Sequence, residues 1–227
     1  MFDFLQNGYS QLHTLNIAAH VAAGCLAIVA ALFILVFRKG GKAHRALGRA
    51  FLLAFAGVGV TAVLGAVYFS TGVFLMMLTV SACYICFSGF RALRIRTSGP
   101  QRLDLTLAGL ALVFCIAAGV YVELSPGNWS RVTIYTVISN LTLFSLYDLS
   151  RVWLGPGWMK RAWLNEHIFK MLSAFGALLS AGAGNILKDF APWSQVAPSF
   201  LTYGLIVFFL LRVRPKSRPR TLQAATG

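Results

Sequence analysis

The feature that most limits what this chain can fold into is a succession of seven long apolar runs, joined by short connectors rich in turn-forming residues. A run of about 18 or more apolar residues is long enough to cross the hydrocarbon core of a bilayer as a helix. In lipid the backbone finds no water, so each crossing segment must satisfy its own N–H and C=O groups, and an α-helix does this. The period-two alternation that a transmembrane β-barrel needs is absent. The runs read as residues 12–37, 47–69, 73–90, 105–122, 132–149, 164–187 and 196–211. Between them stand Gly40-Gly41, Ser70-Thr71-Gly72, Ser98-Gly99-Pro100, Ser125-Pro126-Gly127, Gly155-Pro156-Gly157 and Pro192. The expected fold is all-α: a polytopic integral membrane helical bundle with seven transmembrane helices. It forms a single domain over residues 1–211, with a basic disordered cytoplasmic tail over 212–227. Residues 70–72 are so short a link that the second and third spans should form a tight antiparallel hairpin.

Composition agrees with this reading. Only 11% of residues are charged, 58% are hydrophobic, and mean hydropathy is +0.72; soluble domains carry roughly 25% charged residues. The net charge of +14 would suit a nucleic-acid binder, but the basic residues lie between the apolar runs, which makes the charge topological and nucleic acid an unsuitable partner. The four cysteines, Cys25, Cys83, Cys86 and Cys115, fall inside apolar runs and do not form a secreted disulfide framework. The first run is too long for a cleaved signal, and no basic residue precedes it.

The basic residues fall on every second connector. Arg38, Lys39, Lys42, Arg45 and Arg49 follow the first run; Arg91, Arg94, Arg96 and Arg102 follow the third; Arg151, Lys160 and Arg161 follow the fifth; and five more fill the tail from Arg212 onward. Among the remaining three, Arg131 and Lys188 lie on the opposite side and Lys170 within the sixth run. The positive-inside rule makes the basic side cytoplasmic, which puts the N-terminus outside and the C-terminus inside a multi-pass protein of the cell's inner (plasma) membrane. Trp129, Trp153, Trp158, Trp163 and Trp193 all fall at span ends or connectors, where indoles favour the interface.

Small residues recur every four positions at Gly57, Thr61 and Gly65, and at Gly176, Ser180 and Gly184. Such stripes let another helix approach closely; packing within the bundle is the reading preferred here over a homo-oligomer interface.

The string Lys39-Gly40-Gly41-Lys42-Ala43-His44-Arg45-Ala46-Leu47-Gly48-Arg49 opens the second helix. A helix start offers unpaired N–H groups and partial positive charge, and Arg45 and Arg49 share one face. It reads first as an anchor on anionic lipid headgroups at the cytoplasmic face, and second as a site for a soluble anion. With Asn16–His20 before it, the pattern His44-Arg45-x-x-Gly48-Arg49 resembles a family of bacterial membrane proteins designated domain of unknown function 2306. His167-x-x-Lys170-Met171 is similar to that family's second marker, with lysine where arginine is expected. The resemblance spans runs one, two and six. It implies a helical bundle in a bacterial inner membrane and brings no activity with it.

Two polar groupings are candidate sites. His20 in the first run, Asn140 in the fifth and Asn185 in the sixth are the candidate ligand-binding residues of an outer pocket, set against interhelical hydrogen bonding as the plainer account. On the cytoplasmic side His44, Arg45, Arg49, Asp148, Arg151, Glu166 and His167 gather at the ends of runs two, five and six, joined there by Lys170. A carboxylate such as Asp148 at the membrane edge needs a cation, and Arg45, Arg49 and Arg151 are within range, so an ion-pair network comes first. Metal ligation by His44, Glu166 and His167 ranks below it, because adjacent residues 166 and 167 point to different helix faces. One haem or a quinone held through His44 and His167 is a further reading; two haems would need more suitably placed histidines than the chain has. Cys83-x-x-Cys86 lies mid-helix rather than at an accessible helix start, and so reads as packing.

The sequence therefore favours a non-enzymatic membrane bundle handling a small ligand or lipid, or acting in assembly. The alternatives are a membrane redox protein using His44 and His167, and a small-molecule transporter with a pocket near His20 and Asn140.

Overall fold

The computed structural model describes residues 11–69, 72–125 and 131–213. The expected turn at Ser70-Thr71, the Pro126-Gly127 breaker, Trp129 and the tail from residue 214 lie outside them. The described residues form α1 (Gln11–Val36), α2 (Lys42–Phe69), α3 (Val73–Arg94), α4 (Arg102–Leu124), α5 (Arg131–Ile186) and α6 (Trp193–Arg212), with a 3-10 turn at Lys188–Phe190 before α6 and no strand. Helices α1 to α4 and α6 are long and apolar enough to cross a membrane.

The segment α5 consists of two helical arms. Separate helices were expected here with a connector at Gly155-Pro156-Gly157, and the break does fall there: the two arms meet without a loop at Gly155, where φ is +72°. Glycine accepts that left-handed conformation without the steric cost a Cβ would bring. Pro156 then opens the second arm, a position where its missing N–H costs nothing. The two arms, 131–154 and 156–186, fold back on each other: Asp148 is ion-paired with Lys170, although 22 residues of straight helix would hold them ~33 Å apart. Neither arm counts among the five apolar helices. Each gives up part of one face to charged side chains, Asp148 and Arg151 on the first, Glu166 and Lys170 on the second, and all four are buried.

The outside of the bundle is apolar. Leu53 is 75% exposed and Ile116 69%, and many other leucines, valines and phenylalanines share that surface. In water so continuous an apolar exterior would drive aggregation, whereas in a bilayer it is the face that lipid tails cover.

Inside, small residues set the helix spacing. A Cβ on Gly57 would lie 3.4 Å from Ala23 Cβ, so the α2 stripe packs on α1. The same hairpin is closed at its far end by the stacked rings of His13 and Phe69, 4.4 Å apart. The stripe on the second arm of α5 packs on α6: a Cβ on Gly176 would fall 2.5 Å from Thr202 Oγ1, and Ser180 and Ser199 hydroxyls lie 3.1 Å apart. Gly89 of α3 would place a Cβ 2.8 Å from Lys170 Cβ, so α3 presses directly against the second arm. Ala27, Ala30 and Ala31 of α1, Phe51 and Phe55 of α2, Ile85 and Cys86 of α3, and Ala174 and Phe175 of α5 form the main core. Cys86 is thus a core residue with Cys83 packed against the same core, and the two are not joined by a disulfide.

Replacing Gly176 by leucine should force α5 and α6 apart and cost about 1–3 kcal/mol. The same change at Gly119, which has open space around its Cβ position, should be close to neutral. Thermal unfolding of the two variants in detergent measures the difference.

Candidate functional site

Three helix segments each bring a polar stripe to one buried point. On α3, Tyr84, Ser88 and Arg91 are spaced four and three residues apart and so share a face. The first arm of α5 contributes Tyr147, Asp148 and Arg151, and the second arm contributes Glu166 and Lys170 one turn apart. The arms reach one another only because Gly155 reverses the chain, and α3 reaches them only because Gly89 has no side chain.

At the centre is the Asp148 carboxylate, 2% exposed. Its Oδ1 takes charge-assisted contacts from Lys170 Nζ and Arg151 Nη2. Its Oδ2 accepts hydrogen bonds from Tyr84 Oη at 2.8 Å and from Ser88 Oγ, while Ser88 Oγ accepts one from Lys170 Nζ at 2.7 Å. Arg151 Nη1 donates to Glu166 Oε2 at 3.2 Å, and Lys170 Nζ lies 3.8 Å from the same oxygen. Glu166 Oε1 accepts from Tyr147 Oη at 2.5 Å, and Trp158 Nε1 donates to that hydroxyl at 3.1 Å. Two carboxylates therefore meet two cations, and every charge has at least two polar partners. That satisfaction is what makes burial tolerable, since an unpaired ion in such a place costs several kcal/mol.

A second buried pair stands alongside. Arg91 grips Asp104 through two parallel bonds, Nε to Oδ1 at 2.7 Å and Nη2 to Oδ2 at 2.8 Å, and its Nη2 also donates to Gln101 Oε1 at 2.6 Å. Asp104 Oδ2 in turn accepts from the Gln101 backbone N–H at 2.9 Å, capping the start of α4. Between the two networks lies a void of about 10 Å³ bordered by Ser88, Asp104, Asp148 and Arg151. That is room for about one water molecule, with polar partners on both sides.

The structure brings together Asp148, Arg151, Glu166 and Lys170 from the expected cytoplasmic group, with Arg151 and Lys170 both on Asp148. Arg45 and Arg49 are not the partners of Asp148: both are exposed on α2, and Arg45 Nη1 donates to the Gly40 carbonyl at 3.0 Å. The reversal at Gly155 decides this, by delivering Arg151 and Lys170 to the carboxylate from the same chain segment. His167 is half-buried and its Nδ1 donates to the Gly89 carbonyl at 3.0 Å, which leaves Nε2 as the acceptor nitrogen. His44 lies on the inner side of α2, its Nδ1 buried without a hydrogen-bond partner. Among the described residues no three His, Cys, Asp or Glu side chains gather as a metal set, and Glu166 is committed to Arg151 and Tyr147.

Toward the opposite end, His20 Nδ1 lies 2.9 Å from Thr61 Oγ1, and Asn16 Nδ2 donates to the Thr61 carbonyl at 3.0 Å. Asn185 donates to the Ala181 carbonyl of its own helix at 2.9 Å, and Asn140 is exposed. His20 is thus bonded to α2 and Asn185 within its own helix, and neither hydrogen bond joins two of the three expected pocket residues. Lys39, in the link between α1 and α2, donates to the carbonyls of Ile34 and Leu35 at 2.6 and 2.7 Å, closing the end of α1. Its ammonium sits 4.8 Å from the Phe209 ring of α6, and partial burial lowers its pKa.

Tyr84, Tyr147 and Ser88 are the site residues that sequence reading missed. Their signal was present in the four-residue step from Tyr84 to Ser88 on an otherwise apolar helix.

No family model matches the chain, and no curated protein or solved structure gives a significant match to it.

Replacing Asp148 by asparagine leaves two buried cations facing one carboxylate and should cost about 3–5 kcal/mol. Lys170→Met should cost a similar amount. The double variant should lose less than the sum by about 0.5–3 kcal/mol, because each single change strands the other's partner. A double-mutant cycle by denaturant unfolding in detergent measures the coupling.

Proposed function

We propose that this protein is a non-enzymatic integral membrane scaffold whose seven helical segments all cross the bilayer, with the N-terminus outside and the C-terminus inside. In this reading the two arms of α5 are the fifth and sixth crossings. Their charges are hidden between α3 and the arms rather than turned to lipid, which is how ionisable residues persist at membrane depth. The alternation of basic connectors supports the orientation, since α1–α2, α3–α4 and the bend of α5 carry most of the arginines and lysines.

The observation that carries the scaffold reading is the completeness of the buried network. All four charges are paired, and the adjoining void holds no more than a water. A transport or catalytic site keeps a group available for its substrate, whereas here each carboxylate oxygen and each cation is already engaged. Paired ions of this kind add little net stability over apolar packing, but they penalise any arrangement that separates them. The consequence is one fixed arrangement of α3 and the two arms, suited to holding lipids or partner proteins on the outer faces.

A second reading has its own support. His44 has a buried Nδ1 without a partner, and His167 directs Nδ1–H to a backbone carbonyl in the way that metal-bound histidines are commonly oriented. One haem held through these two would make the protein a membrane redox component.

Two measurements test these proposals. A phosphatase reporter fused to the C-terminus should stay silent and a fluorescent reporter at the same place should light up; the opposite result overturns the orientation. Absorption spectra of purified protein, oxidised and then reduced with dithionite, should show no Soret band. A stoichiometric band that disappears in His44→Ala or His167→Ala would replace the scaffold reading by the redox one.

A further inference from the structure

Helices α2 and α3 are joined by a short link, yet they do not close fully on each other. Between them runs an open groove of about 400 Å³, lined by Ala56, Gly59, Val60 and Val63 of α2 and by Val80 and Cys83 of α3. Val60 is 59% exposed and Val63 41%, so the groove opens to the outside of the bundle. The one hydroxyl on its wall, Thr79 Oγ1, donates to the Leu75 carbonyl of its own helix at 2.8 Å. Apart from the weakly polar thiol of Cys83, the wall therefore offers hydrocarbon, and its occupant is apolar.

Beyond the end of the groove, the same helix faces carry arginines. Arg49 lies seven residues before Ala56 on α2 and Arg45 eleven before it. Both offsets fall within about 20° of whole turns, so the two arginines stand in line with the groove wall. On α3, Arg94 follows Cys83 by eleven residues and has the same alignment. Arg49 is ~10 Å along the axis from Ala56, and Arg94 ~16 Å from Cys83. All three arginines are exposed. None of them enters the buried networks, and Arg45 spends only Nη1, on Gly40. Arg94 stacks over the Phe90 ring of its own helix, 5.1 Å from its centroid.

We propose that this groove and its arginine mouth form a binding site for one anionic phospholipid, with an acyl chain lying between α2 and α3 and the phosphate on Arg45, Arg49 and Arg94. The site rests on the membrane reading but not on the orientation, because the arginines and the groove, which lies near the middle of α2 and α3, keep the same mutual positions either way up. Charge complementarity selects the occupant. A second copy of this chain would bring its own arginines to the same mouth, and a free phosphate would leave the groove uncovered. The site also gives the basic string at 39–49 a specific partner: Lys39 closes α1, His44 turns inward, and Arg45 and Arg49 meet the lipid.

The test uses the full chain purified in mild detergent, with phosphatidylglycerol or phosphatidylcholine added as mixed micelles and thermal unfolding as the readout. Phosphatidylglycerol should raise the unfolding temperature well beyond phosphatidylcholine. Arg49→Gln combined with Arg94→Gln should weaken that effect roughly thirtyfold in lipid concentration. Val63→Trp, which fills the groove from its open side and leaves the core untouched, should also abolish the preference. Equal stabilisation by the two lipids, or a preference that survives either variant, overturns the site. Inorganic phosphate reproducing the full effect would reduce it to an anion site. A dimer that Val63→Trp dissolves, with no lipid preference, would assign the groove to a second copy. Membrane extraction before purification keeps the underlying reading separate: a chain that leaves membranes with carbonate and needs no detergent fails that reading first.

Discussion

A carboxylate with almost no contact with water survives as an anion only where cations reach it, and Asp148 is in that position. Lys170 arrives from a segment 22 residues further along the chain and Arg151 from one turn away, while Tyr84 and Ser88 come from α3. Much of the structure around this point follows from that requirement. The chain must reverse at Gly155 to deliver Lys170, α3 must come close enough for Ser88 to bridge Lys170 and Asp148, and Gly89 must lack a side chain for α3 to do so. Once these are met, the three segments have one mutual arrangement, since sliding any of them by a turn would leave charges without partners in a place where water does not compensate.

The remaining helices are placed by weaker and more numerous contacts. Helices α1 and α2 meet along small residues, as do the second arm of α5 and α6, and dispersion between closely packed backbones is the main attraction available where lipid is as apolar as leucine. The few polar contacts here, such as Ser180 with Ser199 and His20 with Thr61, fix register more than they add strength. The bundle thus has a polar lock at one depth and small-residue seams elsewhere. Between α2 and α3 the lock does not reach and the seam is incomplete, which is where the open groove appears.

Much of the fold is legible in the residues taken in order. Seven apolar runs become helical segments, and the four-residue glycine stripes on α2 and α5 do become helix contacts. Trp153 and Trp193 are strongly exposed, at the ends of apolar segments. Less legible was the partner of Asp148. Arg45 and Arg49 are equally basic and lie near it in any scheme of alternating connectors, and nothing in their spacing separates them from Arg151 and Lys170. Nor does composition reveal that Tyr84 and Ser88, two modest polar residues in an apolar helix, would complete the site.

What the sequence determined by itself is the solvent: runs of this length and hydropathy have no stable place in water, and backbone hydrogen bonding then requires helices, whatever their arrangement. Hydrophobicity is a property of each segment and needs no knowledge of the others. Pairing is a property of distances between segments, and those were decided only in the tertiary structure. The left-handed turn at Gly155 folds α5 back on itself and places two acids against two bases, so that Arg45 and Arg49 stay outside the network. A charge far along the chain becomes a neighbour or a stranger according to that one reversal of direction.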